Sequence, residues 1–152
     1  MTLAITKHSE IFSSCPQINP EDITEIKSLG YKTIINARPD LEGGSNQPTS
    51  ENIKIAAEKA GLKYIHIPVV PNNIGANDIQ LCSSFVDSAP TPVLGFCRTG
   101  MRASNLYHSS QKKDNTNTNM GNQNWLTKKV NDFFKNKCLI TKLYRKLSKA
   151  NV

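Results

Sequence analysis

At 152 residues and 38% hydrophobic composition, the chain is long enough for one domain with a real core and hardly for two. Its net charge of +7 points to nucleic acid or an anionic membrane only until it is divided along the sequence. Residues 1–108 carry nine Lys and Arg against ten Asp and Glu, whereas residues 109–152 carry ten against two, so the basicity belongs to the tail.

Other classes are excluded as readily. No run of about 18 apolar residues exists to form a membrane-spanning helix. The opening ten residues lack the apolar stretch of a secretory signal. Cys15, Cys82, Cys97 and Cys138 form neither a CxxC pair nor a metal-ligand spacing with histidine. Reduced thiols in a cytoplasmic protein are therefore expected, with no metal and no organic cofactor.

In chain order, residues 9–14 read as a short strand around Ile11 and Phe12 that ends at Cys15-Pro16. Asn19 is placed to cap a helix, Pro20 suits its first position, and Glu21 and Asp22 complement the positive end of its dipole. Ile23, Ile26 and Leu29 make its apolar face, and Gly30 supplies the left-handed stop. Residues 32–36 form a buried-type strand, followed by Arg38-Pro39-Asp40-Leu41-Glu42 and a loop over 43–49. A second helix is expected from about Ser50 to Ala60, and another strand over 64–69. After a Pro- and Gly-containing loop, Asn77-Asp78 is expected to cap a third helix running to about Ala89. Residues 93–96 are a short apolar strand that runs straight into Cys97, and a final helix begins near Arg102.

Strands alternating with helices at this spacing predict an α/β fold: a small, mostly parallel sheet flanked by helices, with right-handed crossovers. The pattern divides the chain into a domain over 1–110, an Asn/Thr-rich linker over 111–124 and a basic amphipathic helical tail over 125–152. On the tail, Leu126, Val130, Phe133, Ile140, Tyr144 and Leu147 share one helical stripe.

The chemistry concentrates in Cys97-Arg98-Thr99-Gly100-Met101-Arg102. A helix N-terminus presents unpaired N–H groups and a partial positive charge, which favours thiolate over thiol at Cys97. Gly100 lets the backbone turn its N–H groups inward as an oxyanion nest, to which Arg98, Thr99 and Met101 also contribute. Arg102 closes the nest with a planar, two-pronged donor suited to phosphate, sulfate or sulfonate. Nucleophile, anion cradle and fixed positive charge together suit attack on an oxyanion-bearing group through a covalent cysteinyl intermediate. His66, inside a strand, reads as a half-buried core histidine in preference to a catalytic base.

Residues 34–40, Ile-Ile-Asn-Ala-Arg-Pro-Asp, and residues 96–102, Phe-Cys-Arg-Thr-Gly-Met-Arg, resemble the phosphatase-like domain of beta-lactamase-hydrolase-like proteins. These are bacterial members of the protein-tyrosine-phosphatase fold, and the resemblance covers about residues 3–108. It implies a cysteine-phosphatase-like fold with an extra C-terminal helix, Cys97 as nucleophile and Arg102 as oxyanion binder. Phosphatases of this kind place a general acid on a loop upstream of the cysteine. Asp78 is the nearest such residue, though it reads equally as a helix cap, and Asp40 is a second. The pair Arg38 and Asp40 reads more naturally as bracing for the pocket.

The loop departs from the usual phosphatase pattern. Four residues, not five, separate Cys97 from Arg102, a length that rhodanese-type sulfurtransferases also use. Phe96 replaces the common His, and Ala103 replaces the Ser or Thr after the Arg, for which Ser104 is the substitute. Three readings therefore stand: a phosphatase-like hydrolase working through phosphocysteine, a sulfurtransferase forming a Cys97 persulfide, and an anion-binding adaptor without turnover. The expected partner is a small anionic substrate, either a phosphate ester or a sulfane-sulfur donor. The basic tail suits self-association, docking on the domain or an anionic membrane, and nucleic acid is not expected.

Overall fold

The computed structural model describes residues 3–112. The expected tail helix over 125–152, and the linker beyond Lys112, lie outside the described residues. Five strands and four α-helices follow in order: β1 (Thr6–Lys7), β2 (Phe12–Cys15), α1 (Ile23–Ser28), β3 (Thr33–Asn36), α2 (Ser50–Lys59), β4 (Lys63–His66), α3 (Ala76–Ser88), β5 (Val93–Phe96) and α4 (Met101–Gln111). The sheet order is β1-β2-β5-β3-β4. All neighbours are parallel except the β1/β2 edge pair, where Thr6 faces Ser14 and Lys7 faces Ser13. The fold is the expected α/β arrangement, with helices on both faces of a mostly parallel sheet.

The strands alternate in which face they feed. Ile35, Ile65, Val93 and Phe12 pack with Cys82 and Val86 of α3 and Leu106 of α4. Ile34, Tyr64, Leu94 and Phe96 pack on the other face with Ile26 of α1 and Ile53 of α2. Burial on both faces explains why β3 and β5 read as continuous apolar runs instead of an alternating pattern. Gly95 interrupts that run for a steric reason. A Cβ there would lie 2.6 Å from the Phe12 ring and 3.2 Å from Ala103 Cβ. The missing side chain lets Phe12 lie over β5, where its ring stacks on Tyr107 of α4 at a centroid separation of 4.1 Å.

Three expectations are corrected in detail. The strand expected over 9–14 is β2, which starts at Phe12, and Ile11 stays outside it, 38% exposed. The unforeseen two-residue strand β1 covers the sheet edge; its shortness and its exposed Lys7 are common ways of blunting an edge. The segment after Asn19 opens with a 3-10 turn, Pro20–Asp22, before α1. There Asn19 is the N-cap, and the Asp22 carboxylate accepts from its N–H at 2.7 Å.

Candidate active site

Parallel strands deliver their C-terminal ends to one edge of the sheet, and open α/β folds place their sites there. Here four loops meet at that edge: the segment after β2, the loop after β3, the loop after β4, and the six residues from Cys97. Backbone bonds past the strand ends hold them in register. Ala37 N–H donates to Phe96 O at 2.8 Å, Ile67 N–H to Asn36 O at 2.8 Å, and Gln17 N–H to Arg98 O at 3.4 Å.

Cys97 follows β5 directly and is 1% exposed. The chain turns at Gly100, whose φ of +91° makes it the left-handed N-cap of α4. This turn aims the Gly100 N–H at Cys97 Sγ, 3.2 Å away. The sulfur thus meets a backbone donor at the N-terminus of an eleven-residue helix. Glycine is required twice over at this position, since a Cβ would also lie 3.1 Å from the carbonyl carbon and oxygen of Cys15. Cys15 therefore forms the floor beneath the turn, a role that sequence alone did not suggest. Its own thiol is pushed up to about 12, first by burial and then by the neighbouring Cys97 and Asp22 charges. Burial likewise pushes Cys82 up to about 11. Neither forms a thiolate near neutrality.

Arg102, on the first turn of α4, lines the cavity beside the loop. Its Nη1 donates to Val69 O at 2.7 Å and its Nη2 to Glu42 Oε2 at 2.8 Å. Glu42 Oε1 lies 2.7 Å from the same Nη2 but receives no directed hydrogen bond. The same Glu42 Oε2 accepts from Arg38 Nε at 2.7 Å, and Arg38 Nη1 donates to Gln17 Oε1 at 2.8 Å. One carboxylate therefore sits between two guanidiniums, with side-chain exposures of 17% for Glu42, 9% for Arg38 and 13% for Arg102. Burial pushes the Glu42 carboxyl up. The hydrogen bonds from Arg102 and Arg38, with their charges, outweigh burial and hold it below the usual carboxylate range. Glu42 and Gln17 carry no expected role in the sequence. The available signal for Glu42 was an acid four residues after Arg38 in a segment already singled out.

The cavity has a volume of about 570 Å³. Arg98, Thr99, Met101 and Arg102 supply one wall, and Pro71, Asn72 and Ile74 from the loop after β4 supply the other, with Glu42 and Asn105 completing it. Met101 is 68% exposed, an apolar side chain left at the mouth. The structure thus brings Arg98, Thr99, Met101 and Arg102 to one cavity, with Cys97 and Gly100 on the same turn. Ser104 lines a second, smaller depression with His8, Ser14 and Gly100.

The two acids proposed from sequence lie elsewhere. Asp78 is the third residue of α3, and its Oδ2 accepts from Gly75 N–H at 2.9 Å. The helix starts at Ala76, ahead of Asn77, so Asp78 caps from inside by reaching back, and it does not line the cavity. Asp40 Oδ1 accepts from Ser50 N–H at 2.7 Å and so fastens the start of α2 to the loop after β3. Arg38 is held by Glu42 of that loop and by Gln17 of the segment after β2, so it does not form the bracing pair with Asp40 that the sequence suggests. Asn36 fixes the loop's origin: its Oδ1 accepts from Arg38 N–H at 2.8 Å and its Nδ2 donates to Tyr64 Oη at 2.8 Å. His66 Nε2 contacts Arg38 O at 2.9 Å, and since a carbonyl only accepts, the ring donates there. Among the described residues no cluster of three or more His, Cys, Asp or Glu is placed to hold a metal ion. Among them, too, no helix is long and apolar enough to cross a membrane.

The fold that carries this cysteine turn, a mostly parallel sheet flanked by helices, is that of solved phosphatase-like proteins. A candidate phosphatase of Neisseria meningitidis superposes with a TM-score of 0.65 at 38% identity, over 70% of this chain and 75% of that one. Tk-PTP, solved as a mutant, superposes with a TM-score of 0.50 over 86% of this chain and 96% of that one; at 12% identity it shows the fold alone. The beta-lactamase hydrolase-like protein of Xylella fastidiosa is 37% identical over 98 residues, 64% of this chain but 22% of that protein. The chain thus spans about a fifth of the length of the curated relatives it matches. It belongs to the family described as the phosphatase-like domain of beta-lactamase hydrolase-like proteins, which matches residues 5–114.

Proposed function

We propose that this phosphatase-like domain is a cysteine-dependent hydrolase of phosphate monoesters. The carrying observation is the Gly100 N–H aimed at Cys97 Sγ, with Arg102 on the next turn. In this reading the Cys97 thiolate attacks phosphorus, and the P–O bond to the leaving group breaks with its electron pair going to the departing oxygen, which leaves as an anion and is protonated by solvent. The turn's N–H groups and Arg102 stabilise the charge on the phosphoryl oxygens. Water then attacks the phosphocysteine, releasing inorganic phosphate and the thiolate.

A second reading is favoured by one specific observation. Glu42 is the one carboxylate lining the cavity among the described residues, and its two arginine partners keep it ionised. Proton donation to a leaving alkoxide therefore has no evident source. Sulfur transfer needs none: Cys97 displaces sulfite from thiosulfate to form a persulfide, and a thiol or cyanide then removes the outer sulfur. The four-residue spacing between Cys97 and Arg102 also suits that smaller group.

Purified protein is incubated with p-nitrophenyl phosphate, and separately with thiosulfate plus cyanide, beside a Cys97→Ser control. Nitrophenol release that depends on Cys97 supports the hydrolase. Thiocyanate formation without nitrophenol release overturns it in favour of sulfur transfer. Turnover of neither substrate, with phosphate or sulfate still bound, makes the domain an anion-binding module.

A further inference from the structure

The loop after β3 fastens α2 through Asp40 and reaches the site through Glu42. Arg38 spends Nε on Glu42 and Nη1 on Gln17, and it does not line the cavity. Gly43 leaves room for it, since a Cβ there would lie 2.7 Å from Arg38 Nη2. Gln47 closes the loop by accepting from Gly43 N–H and donating to Pro39 O, both at 2.8 Å. Arg38 is thus a buried counter-anchor that fixes Glu42 from the side away from the cavity.

We propose that Glu42 is the positioning residue for Arg102, orienting its guanidinium for oxyanion binding through the Arg38–Glu42–Arg102 chain. This rests on Arg102 being the oxyanion-binding side chain of the function proposed above. A guanidinium has five N–H donors. Val69 O and Glu42 Oε2 take one each on different terminal nitrogens, leaving three for a ligand. The two acceptors come from two loops, after β4 and after β3, so the plane of Arg102 is held from outside its own helix. A flexible side chain held at two points needs little ordering when the anion arrives.

The test uses Glu42→Gln, which removes the charge, and Glu42→Asp, which keeps it but withdraws the carboxylate by one methylene. Inorganic phosphate affinity is measured by calorimetry in a Cys97→Ser background. The kcat and KM values for p-nitrophenyl phosphate and thiosulfate are measured with Cys97 intact, and thermal melting monitors folding. Both variants are expected to lose about tenfold in phosphate affinity. For whichever substrate the wild type turns over, kcat should fall about 10²-fold, with KM moving far less. A merely structural role would lower the melting temperature without that split. If Glu42→Gln fails to fold, Glu42→Asp decides, because both arginines keep their counter-charge. A folded Glu42→Asp protein with wild-type phosphate affinity and kcat overturns the proposal. If the wild type binds phosphate but turns over neither substrate, the function reading fails and the phosphate affinities alone decide this one. A wild type that binds no phosphate overturns both.

Discussion

Replacing Gly30 and Gly100 by alanine, one at a time, separates backbone strain from lack of space. The two residues have nearly the same φ, +92° and +91°, a region that costs an L-residue about 1–2 kcal/mol. Around Gly30 an added Cβ meets nothing within 4 Å, so Gly30→Ala should cost that strain and no more. At Gly100 the Cβ meets the backbone of Cys15 at 3.1 Å, and backbone cannot rotate away as a side chain can. Overpacking of this kind adds about 1–3 kcal/mol. For a domain of this size each kcal/mol lowers Tm by about 3–4 °C, so Gly100→Ala should melt below Gly30→Ala. Any relief by tilting the turn also moves the N–H that meets Cys97 Sγ, so iodoacetamide labelling of Cys97 should change for Gly100→Ala and not for Gly30→Ala. Equal melting temperatures, or unchanged Cys97 labelling in a destabilised Gly100→Ala protein, would refute this account of the turn.

Two further outcomes follow from the carboxylates. Asp78→Ala should cost about 0.5–2 kcal/mol by urea denaturation through loss of the bond from Gly75 N–H, whereas Asp78→Asn, still an acceptor, should cost less. Neither should lower kcat, and a collapse of kcat in Asp78→Asn would restore Asp78 as the proton donor. Glu42, held below the usual carboxylate range, contributes stability that is fully present above its unfolded value of about 4.3 and is lost as pH falls through its lower folded value. Wild type should therefore lose more Tm on acidification than Glu42→Gln, and parallel Tm–pH curves would contradict the ion-pair account.

Much of the fold was legible because the signals were local. Gly30 and Gly61 end their helices with positive φ, and the apolar segment 93–96 forms β5 in full. The cysteine turn was legible too, since Cys97, Gly100 and Arg102 lie within six residues of one another. The partners of Arg102 were not, because they come from 33 and 60 positions upstream and only the sheet order brings them together. Cys15 was illegible for the same reason. Its contribution is a main-chain carbonyl beneath Gly100, placed by the pairing of Cys15 with Phe96, and no side-chain pattern announces it. Asp78 supports two readings from sequence, a cap and an acid, and the structure shows the cap. Its type and its position upstream of the cysteine fitted a general acid, yet a local bond to Gly75 N–H had first claim on the carboxylate.

The placement of these acids makes the choice between phosphate and sulfur chemistry a question about the leaving group. A carboxylate flanked by two guanidiniums is a poor proton donor near neutrality, because protonating it would leave both buried cations uncompensated. If the site hydrolyses phosphate esters, the departing oxygen must carry its own negative charge away, as p-nitrophenolate can and a simple alkoxide cannot. Activity should then fall steeply along a series of aryl phosphates as the leaving phenol becomes less acidic, and alkyl phosphates should not react. Thiosulfate, whose leaving sulfite needs no proton, should escape that dependence. A flat series, with alkyl and aryl phosphates cleaved alike, would show that a proton donor reaches the cavity, and would remove the reason for setting sulfur transfer beside hydrolysis.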